Sequence, residues 1–119
     1  MVEKEILKRL GYREDFDFDN KIINQDTVEF NGKKYLVSTV DLGLNHRYGE
    51  GKPLYWETMI FAKDEDDGID FSDLYCNRYS SKENAELSHK QILQAFKESR
   101  ATFDGNSFEF EGLISYEDN

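Results

Sequence analysis

The sequence predicts an α+β fold in which a mostly antiparallel sheet carries a main helix on one face and a short helix precedes the strands. Two observations indicate it. An Asn-Gly pair separates two strand-like arms within residues 27–42, as in a hairpin. A Ser-x-x-Glu helix start at residues 80–83 is followed by apolar residues at helical spacing. Because the strand signals are grouped together, antiparallel pairing is favoured, and we expect a single domain over residues 1–119.

Composition predicts a small acidic protein with a thin core. The chain has 119 residues, of which 38% are hydrophobic, and nine Phe, seven Tyr and one Trp supply large side chains. Acids outnumber bases by 25 to 15, which gives a formal net charge of −10. This charge disfavours direct contact with nucleic acid or with an anionic membrane. It suits either solubility or docking on a basic partner, such as a protein that grips nucleic acid.

The N-terminal region and the cysteine content predict a cytoplasmic protein. Cys76 is the single cysteine, so no internal disulfide is expected. Residues 1–10 are charged and amphipathic, unlike a signal peptide, and no stretch is long and apolar enough to cross a membrane.

The first predicted element is a short helix that ends before Gly11, because apolar residues recur there at helical spacing. These residues are Val2, Ile6, Leu7 and Leu10. Residues 12–24 alternate acids with Phe16 and Phe18, which suits either a short strand or a loop held by two aromatic rings.

Three strands are predicted in the centre of the chain. Residues 27–30 and 33–42 form the two arms of the hairpin, and the glycine-rich stretch 43–53 must be a loop. Residues 54–62 read as a central strand, since both of its faces are apolar apart from Glu57.

The second half is predicted as an acidic loop over 63–73, a strand over 74–79 and a helix from Ser80 to about Arg100. The apolar stripe of that helix consists of Ala85, Ile92 and Phe96, with Leu93 and Ala95 at its margins. Residues 101–119 favour one or two terminal strands.

Glu57 raises the main question about function, because a carboxylate among apolar neighbours is costly unless it is paired or faces a pocket. One interpretation is a buried Glu57–Arg78 pair between neighbouring strands. The other is a polar pocket built from Glu57, Thr39, Arg78 and Tyr79 and capped by His46.

Such a pocket would suit a nucleotide-type ligand, with Trp56 and Tyr55 stacking on its base and Arg47 and Arg78 contacting phosphate. A third hypothesis is a small hydrolase-type enzyme with His46 and Glu57 as an acid–base pair. The ligand-binding and enzyme hypotheses both rank below a non-enzymatic accessory protein that binds a host factor. No catalytic residue is assigned.

Other reactive residues are interpreted as structural. His89 lies beside the buried stripe of the helix and is expected to be packed and hydrogen-bonded. Cys76, on a predicted strand, is expected to be buried and inert.

The acidic loop is interpreted as a solvated turn or a partner-binding patch. Its acids are Asp64, Glu65, Asp66, Asp67, Asp70 and Asp73. They do not follow the calcium-loop pattern, and the two histidines and one cysteine show no zinc-ligand spacing, so neither a metal nor a cofactor is expected.

Three segments resemble a group of small bacteriophage and prophage proteins. They are Tyr35–His46 and Gly51–Phe61, which carry V-S-T-V-x-L-x-x-x-H and E-T-M-I-F patterns, and Asn77–Ala85, which carries R-Y-S and precedes His89. The resemblance spans roughly residues 35–92. That group more often has Asp where this chain has Asn45, and it has no established activity, so the resemblance implies a phage context and no catalytic role.

Together these observations predict a phage-encoded accessory protein that binds and inhibits a host factor, with antiviral defence as the expected setting. It would act in the host bacterial cytoplasm. Formation of a homo-oligomer is left open by the sequence.

Overall fold

The strands form an antiparallel sheet in chain order. A computed structural model describes residues 4–47 and 49–114. The sheet contains β1 (Ile22–Phe30), β2 (Lys33–Asp41), β3 (Trp56–Lys63) and β4 (Ile69–Tyr79), in the order β1-β2-β3-β4. The helices are α1 (Lys4–Arg9) and α2 (Lys82–Lys97), and a small hairpin of β5 (Ala101–Phe103) and β6 (Phe108–Phe110) follows. The predicted α+β architecture is confirmed.

The β1–β2 hairpin turns at the predicted Asn-Gly pair. Asn31 and Gly32 have φ angles of 51° and 80°, the left-handed values that a tight type I′ turn requires. Strand β1 begins at Ile22, five residues before its predicted start, because Ile22 and Asn24 pair with the far end of β2. The low apolar content of residues 22–26 concealed this extension.

Helix α2 covers one face of the sheet and lies against all four strands. Alternation along the strands directs Tyr35, Val37 and Ile60 toward the helix, where they pack on Ile92 and Phe108. Of the predicted stripe, Ala85 and Ile92 are fully buried, and so is Ala95, which was placed at its margin.

The start of α2 lies one residue later than the sequence pattern predicted. The capping residue is Ser81, whose hydroxyl oxygen accepts from the Asn84 backbone N–H at 3.1 Å. The Ser80–Glu83 box is therefore not formed, since Glu83 precedes the position that a capping box uses. The helix ends at Lys97, before the predicted Arg100, because Ser99 adopts a φ of 58°.

The C-terminal hairpin closes the core with aromatic rings. The Phe108 ring lies 4.5 Å from Phe103, 4.9 Å from Tyr35 and 5.4 Å from both Phe30 and Phe96, measured between centroids. The sequence favoured one or two strands over residues 101–119, and the structure contains two. Residues 115–119 lie outside the described part. The N-terminal helix is likewise described only from Lys4, so its predicted start at Val2 lies outside that part.

Strand β4 is longer than predicted and bulges opposite Phe61. Ile60 pairs with Tyr75, whereas Ala62 pairs with Asp70, so the stretch 71–74 faces a single residue of β3. Residues 69–73, predicted as loop, thus belong to this strand. The bulge leaves Phe71 with 74% of its surface exposed.

The loop over residues 12–20 is held by an aromatic cluster against Gly43. Phe16 is buried and stacks on Tyr12 with ring centroids 5.2 Å apart, whereas Phe18 is exposed. Of the two conformations that the sequence left open, this stretch takes the loop held by aromatic rings.

Gly43→Ala is expected to lower the free energy of unfolding by about 2–4 kcal/mol. Gly43 has a φ of +74°, and an added Cβ would lie 2.7 Å from the Tyr12 ring and 2.8 Å from the Phe16 ring. Urea unfolding measures the loss. The matched control is Gly32→Ala, where φ is +80° but no atom lies within 4 Å of the added Cβ. Equal losses for the two variants would contradict the proposed steric contact.

Candidate functional site

The residues of the predicted pocket lie on opposite faces of the sheet. Thr39 pairs with Thr58, whereas Glu57 pairs with Val40 and Arg78. Paired residues share a face and neighbours along a strand alternate, so Thr39 points toward α2 and Glu57 points away from it. The prediction of a single pocket from Glu57, Thr39, Arg78 and Tyr79 is therefore wrong, because alternation within a strand does not determine the register between strands.

Glu57 and Arg78 close on each other as the predicted pair. The Arg78 Nε donates to the Glu57 Oε2 at 2.9 Å. Glu57 is buried, and the Arg78 side chain is 35% exposed. The burial of one carboxylate is thus compensated by a charge-assisted hydrogen bond, which is a structural role.

Cys76 lies beside this pair and is exposed rather than buried as predicted. Its Sγ is 3.6 Å from the Glu57 Oε2. Partial desolvation and the negative charge of Glu57 raise the pKa of the Cys76 thiol to about 11. We therefore expect a weakly nucleophilic thiol, chiefly because partial desolvation disfavours the thiolate, with the charge of Glu57 adding to this.

At pH 8 Cys76 is expected to react with an aromatic disulfide reagent about a hundredfold more slowly than an ordinary exposed cysteine, because little thiolate is present. The rate should keep rising with pH toward the pKa of about 11. The matched control is the same chain unfolded in denaturant, since it has one cysteine. A folded-state rate that levels off near pH 9 would contradict the raised pKa.

On the helix-facing side, a chain of hydrogen bonds runs from the surface into the core. The Asp26 Oδ2 lies 2.7 Å from the His89 Nε2, and the His89 Nδ1 lies 2.7 Å from the Thr39 Oγ1. Thr39 in turn lies 2.5 Å from the Thr58 Oγ1. His89 is packed and hydrogen-bonded, as predicted.

This Asp–His–Thr order resembles a nucleophilic triad, but its burial prevents that chemistry. Thr39 and Thr58 have no exposed surface and His89 is 1% exposed. A substrate could not reach the hydroxyl, so the four groups instead tie α2 to β1, β2 and β3. Nearby, the Tyr79 hydroxyl is 2.6 Å from the Ser88 Oγ and makes a second link between helix and sheet.

Trp56 and Tyr55 are contacted by the chain's own Arg13. The Arg13 Cζ lies 4.4 Å from the Trp56 ring centroid and 5.1 Å from that of Tyr55. Its guanidinium also donates two bonds to the Asp41 carboxylate, at 3.0 and 2.5 Å. Partial burial lowers the pKa of Arg13, but the bonds to Asp41 and Asp15 outweigh this and raise it.

Because Trp56 is 91% buried, its ring is closed to a ligand, contrary to the stacking prediction. Its Nε1 is the one buried side-chain N or O atom in residues 4–47 and 49–114 that has no hydrogen-bond partner. Arg13 and Asp41 were missed by sequence reasoning. The signal for them was weak: one basic residue in an acidic segment and one acid at the end of a strand.

His46 and Arg47 make contacts within their own loop. The His46 Nδ1 lies 2.8 Å from the Leu44 carbonyl oxygen, and the Arg47 Nε donates to the Lys52 carbonyl at 2.6 Å. Both side chains are half-buried. Within residues 4–47 and 49–114, the hydrogen bonds of the His46 and Glu57 side chains share no group, so no direct contact supports the acid–base hypothesis.

The acidic loop is organised by Asp64. The Asp64 Oδ1 accepts from the backbone N–H groups of Asp66 and Gly68 at 2.9 and 2.7 Å. Within the described residues, no group of three His, Cys, Asp or Glu side chains is arranged to hold a metal ion. The loop carboxylates instead remain exposed around the β3–β4 connection.

The same stretch of chain as these carboxylates carries an exposed aromatic residue, Phe71. Phe71 contacts Phe61 edge to face, with ring centroids 5.4 Å apart. We call this region the hairpin-tip surface, which consists of Asp64, Glu65, Asp66, Asp67, Asp70, Phe71 and Asp73. The sequence identified its acids but not Phe71, because the bulge that exposes this ring depends on the β3–β4 register.

No protein-family model, curated protein or solved structure matches this chain. No helix in the described part of the chain has the length and apolar content needed to span a membrane.

Proposed function

We propose that this chain is a phage-encoded accessory protein that binds a basic host protein through the hairpin-tip surface and thereby inhibits it. The observation that carries the proposal is Phe71, which is 74% exposed and rests on Phe61. A large apolar side chain surrounded by charges is typical of an interface anchor, because its burial supplies affinity and the charged rim supplies specificity.

The charge of the surface supports a basic partner. Six exposed carboxylates lie within seven residues of Phe71 along the chain, and the chain as a whole carries a net charge of −10. Complementary charges accelerate association and select among partners. A host protein whose own ligand is nucleic acid presents such a basic surface, and occupying it would block access of the nucleic acid. Antiviral defence proteins are the first class of partner to test.

The burial and pairing of the chemically reactive side chains support a binding role over a catalytic one. The threonine of the triad-like chain is fully buried, and the pKa of the one thiol is about 11. Glu57 is held by Arg78 at 2.9 Å. Each of these groups is therefore engaged in packing or pairing.

The test is capture from bacterial lysate at low and high salt, with wild-type protein and two variants. One variant is Phe71→Ala. The other combines Glu65→Gln, Asp66→Asn and Asp73→Asn, which removes three charges without removing the carboxylate of Asp64 that organises the loop. We expect a salt-sensitive partner that both variants lose.

Matched controls distinguish binding through the hairpin-tip surface from attraction by the overall negative charge of the chain. Leu10→Ala truncates another exposed apolar residue, which is 64% exposed. Glu5→Gln, Glu83→Gln and Glu109→Gln remove three exposed charges elsewhere. Both controls should retain the partner. Capture that survives both tip variants, or that is lost equally with the control triple variant, would refute the proposed surface.

A further inference from the structure

The four-stranded sheet has a second face, which we call the outer face, on the side away from α2. The β5–β6 hairpin lies on the same side as α2, since Phe108 contacts Tyr35 and Phe110 contacts Tyr75. In the part of the chain that the structure describes, no helix or hairpin packs on the outer face. The shortest dimension of the molecule is 21 Å, which accommodates one layer of helix on one sheet.

The outer face is apolar at its centre, although the uncovered face of an antiparallel sheet is usually polar. Its residues follow from Glu57, which points away from α2 and pairs with Val40. On β2 and β3, half of the eight outward positions are apolar. The apolar residues and the cysteine form cross-strand pairs, which are Ile22 with Val40, Leu36 with Phe61 and Met59 with Cys76.

These side chains leave apolar surface that a partner can bury. Ile22 is 54% exposed, and Val40, Met59 and Phe61 are half-buried. The outward residues of the edge strand β1 are mostly polar and exposed; after Ile22 they are Gln25, Thr27 and Glu29. An apolar centre with a polar rim is the arrangement of a protein interface.

The charges of the outer face are balanced, unlike those of the chain as a whole. It carries two acids, of which Glu57 is bound by Arg78 at 2.9 Å and Glu29 pairs with Lys34. Lys63 is its third base. The outer face therefore has no excess negative charge, whereas the chain has a net charge of −10. A second copy of the chain can approach here without the like-charge repulsion that acidic surfaces would cause.

The outer face is large enough for a dimer that associates reversibly. Four strands about 4.8 Å apart, with eight residues of about 3.4 Å each, span about 500 Å². Two such faces would bury roughly 1,000 Å² together, which is near the lower bound for a specific interface. An interface of this size favours reversible association over a permanent dimer.

We propose that the chain forms a reversible homodimer in which the outer faces of two copies pack on each other, as two sheets do in a β-sandwich. The twofold axis passes near Met59, in the middle of β3, so that each apolar patch meets its own copy. The hairpin-tip surface begins at Asp64, beyond the end of β3, and lies at the rim of this contact. The dimer does not rest on the proposed docking function.

The test is sedimentation velocity of the purified protein from about 5 to about 500 µM, at low and at high salt. We expect a monomer at low concentration and a particle of twice the 14.0 kDa chain mass at high concentration. High salt should favour the dimer, because it screens the repulsion between two chains that each carry a charge of −10. Capture of a basic partner should weaken with salt instead, so the two proposals can fail separately.

Two substitutions on the outer face should weaken the dimer. Met59→Lys should do so by about tenfold or more, because two lysines would face each other near the twofold axis. The lysine stem can lie on the sheet with its charged end in water, so the monomer should stay folded. Ile22→Lys tests the same face at a residue that is 54% exposed, and should weaken the dimer severalfold.

The control is Leu87→Lys, which places the same charge on an apolar residue of α2 that is 39% exposed. It should dimerise like wild type, and circular dichroism establishes that each variant is folded. A wild-type monomer at every concentration and salt would overturn the proposal and leave the outer face to a different partner. The proposal is equally overturned if both outer-face variants dimerise like wild type, if Leu87→Lys weakens the dimer as much, or if high salt dissociates it.

Discussion

Phe108→Ala is expected to lower the free energy of unfolding by about 3–5 kcal/mol, the range for truncating a fully packed aromatic side chain. Phe108 is 3% exposed and contacts rings from β1, β2, α2 and β5. Its removal therefore separates the C-terminal hairpin from the rest of the core. Urea unfolding followed by circular dichroism measures the change.

The matched control for Phe108 is Phe71→Ala, because that ring is 74% exposed. A surface truncation of this kind should change the free energy of unfolding by no more than about 0.5 kcal/mol. A loss below about 1 kcal/mol for Phe108→Ala would contradict the central position of this ring. The control also establishes that any loss of binding by Phe71→Ala does not come from unfolding.

His89→Ala is expected to lower the free energy of unfolding by about 3–5 kcal/mol through a cavity and two lost hydrogen bonds. The imidazole is 1% exposed and bridges Asp26 and Thr39 at 2.7 Å on each side. Its loss removes the link from α2 to two strands at once. Chemical unfolding at neutral pH measures the effect.

The other histidine of the chain provides the comparison. His46 is half-buried in a loop and its Nδ1 lies 2.8 Å from the nearby Leu44 carbonyl oxygen, so His46→Ala, which keeps the backbone bond to Leu54, should cost less than about 1 kcal/mol. Asp26→Asn should also cost little, because Asp26 is 48% exposed and an amide oxygen still accepts from His89. Equal losses at the two histidines would contradict the bridging role of His89.

Local patterns predicted the elements of this fold well. The Asn31-Gly32 turn requires left-handed φ angles that few other residue pairs adopt, so the hairpin could be predicted from these two residues. Helix α2 could be predicted from its apolar stripe. Its capping residue was misplaced by one, because consecutive serines at 80 and 81 are both good caps and only the backbone decides between them.

The candidate sites depended on information that one strand does not contain. Alternation placed Thr39 and Glu57 on faces of their own strands, but the register that pairs Thr39 with Thr58 fixes which faces coincide. The same limit concealed Asp26 as the partner of His89, 63 residues away. The bulge that exposes Phe71 likewise depends on the register between β3 and β4.

The central claim is that the hairpin-tip surface binds a basic partner. Its most direct test is amide hydrogen exchange of the chain, free and bound to the partner that wild-type protein captures and the tip variants lose. We predict slowed exchange concentrated in residues 64–73, with the 43–47 and 49–53 parts of the β2–β3 loop, at the opposite end of β3, unchanged. Unchanged exchange in residues 64–73 on a fully bound sample would contradict the claim.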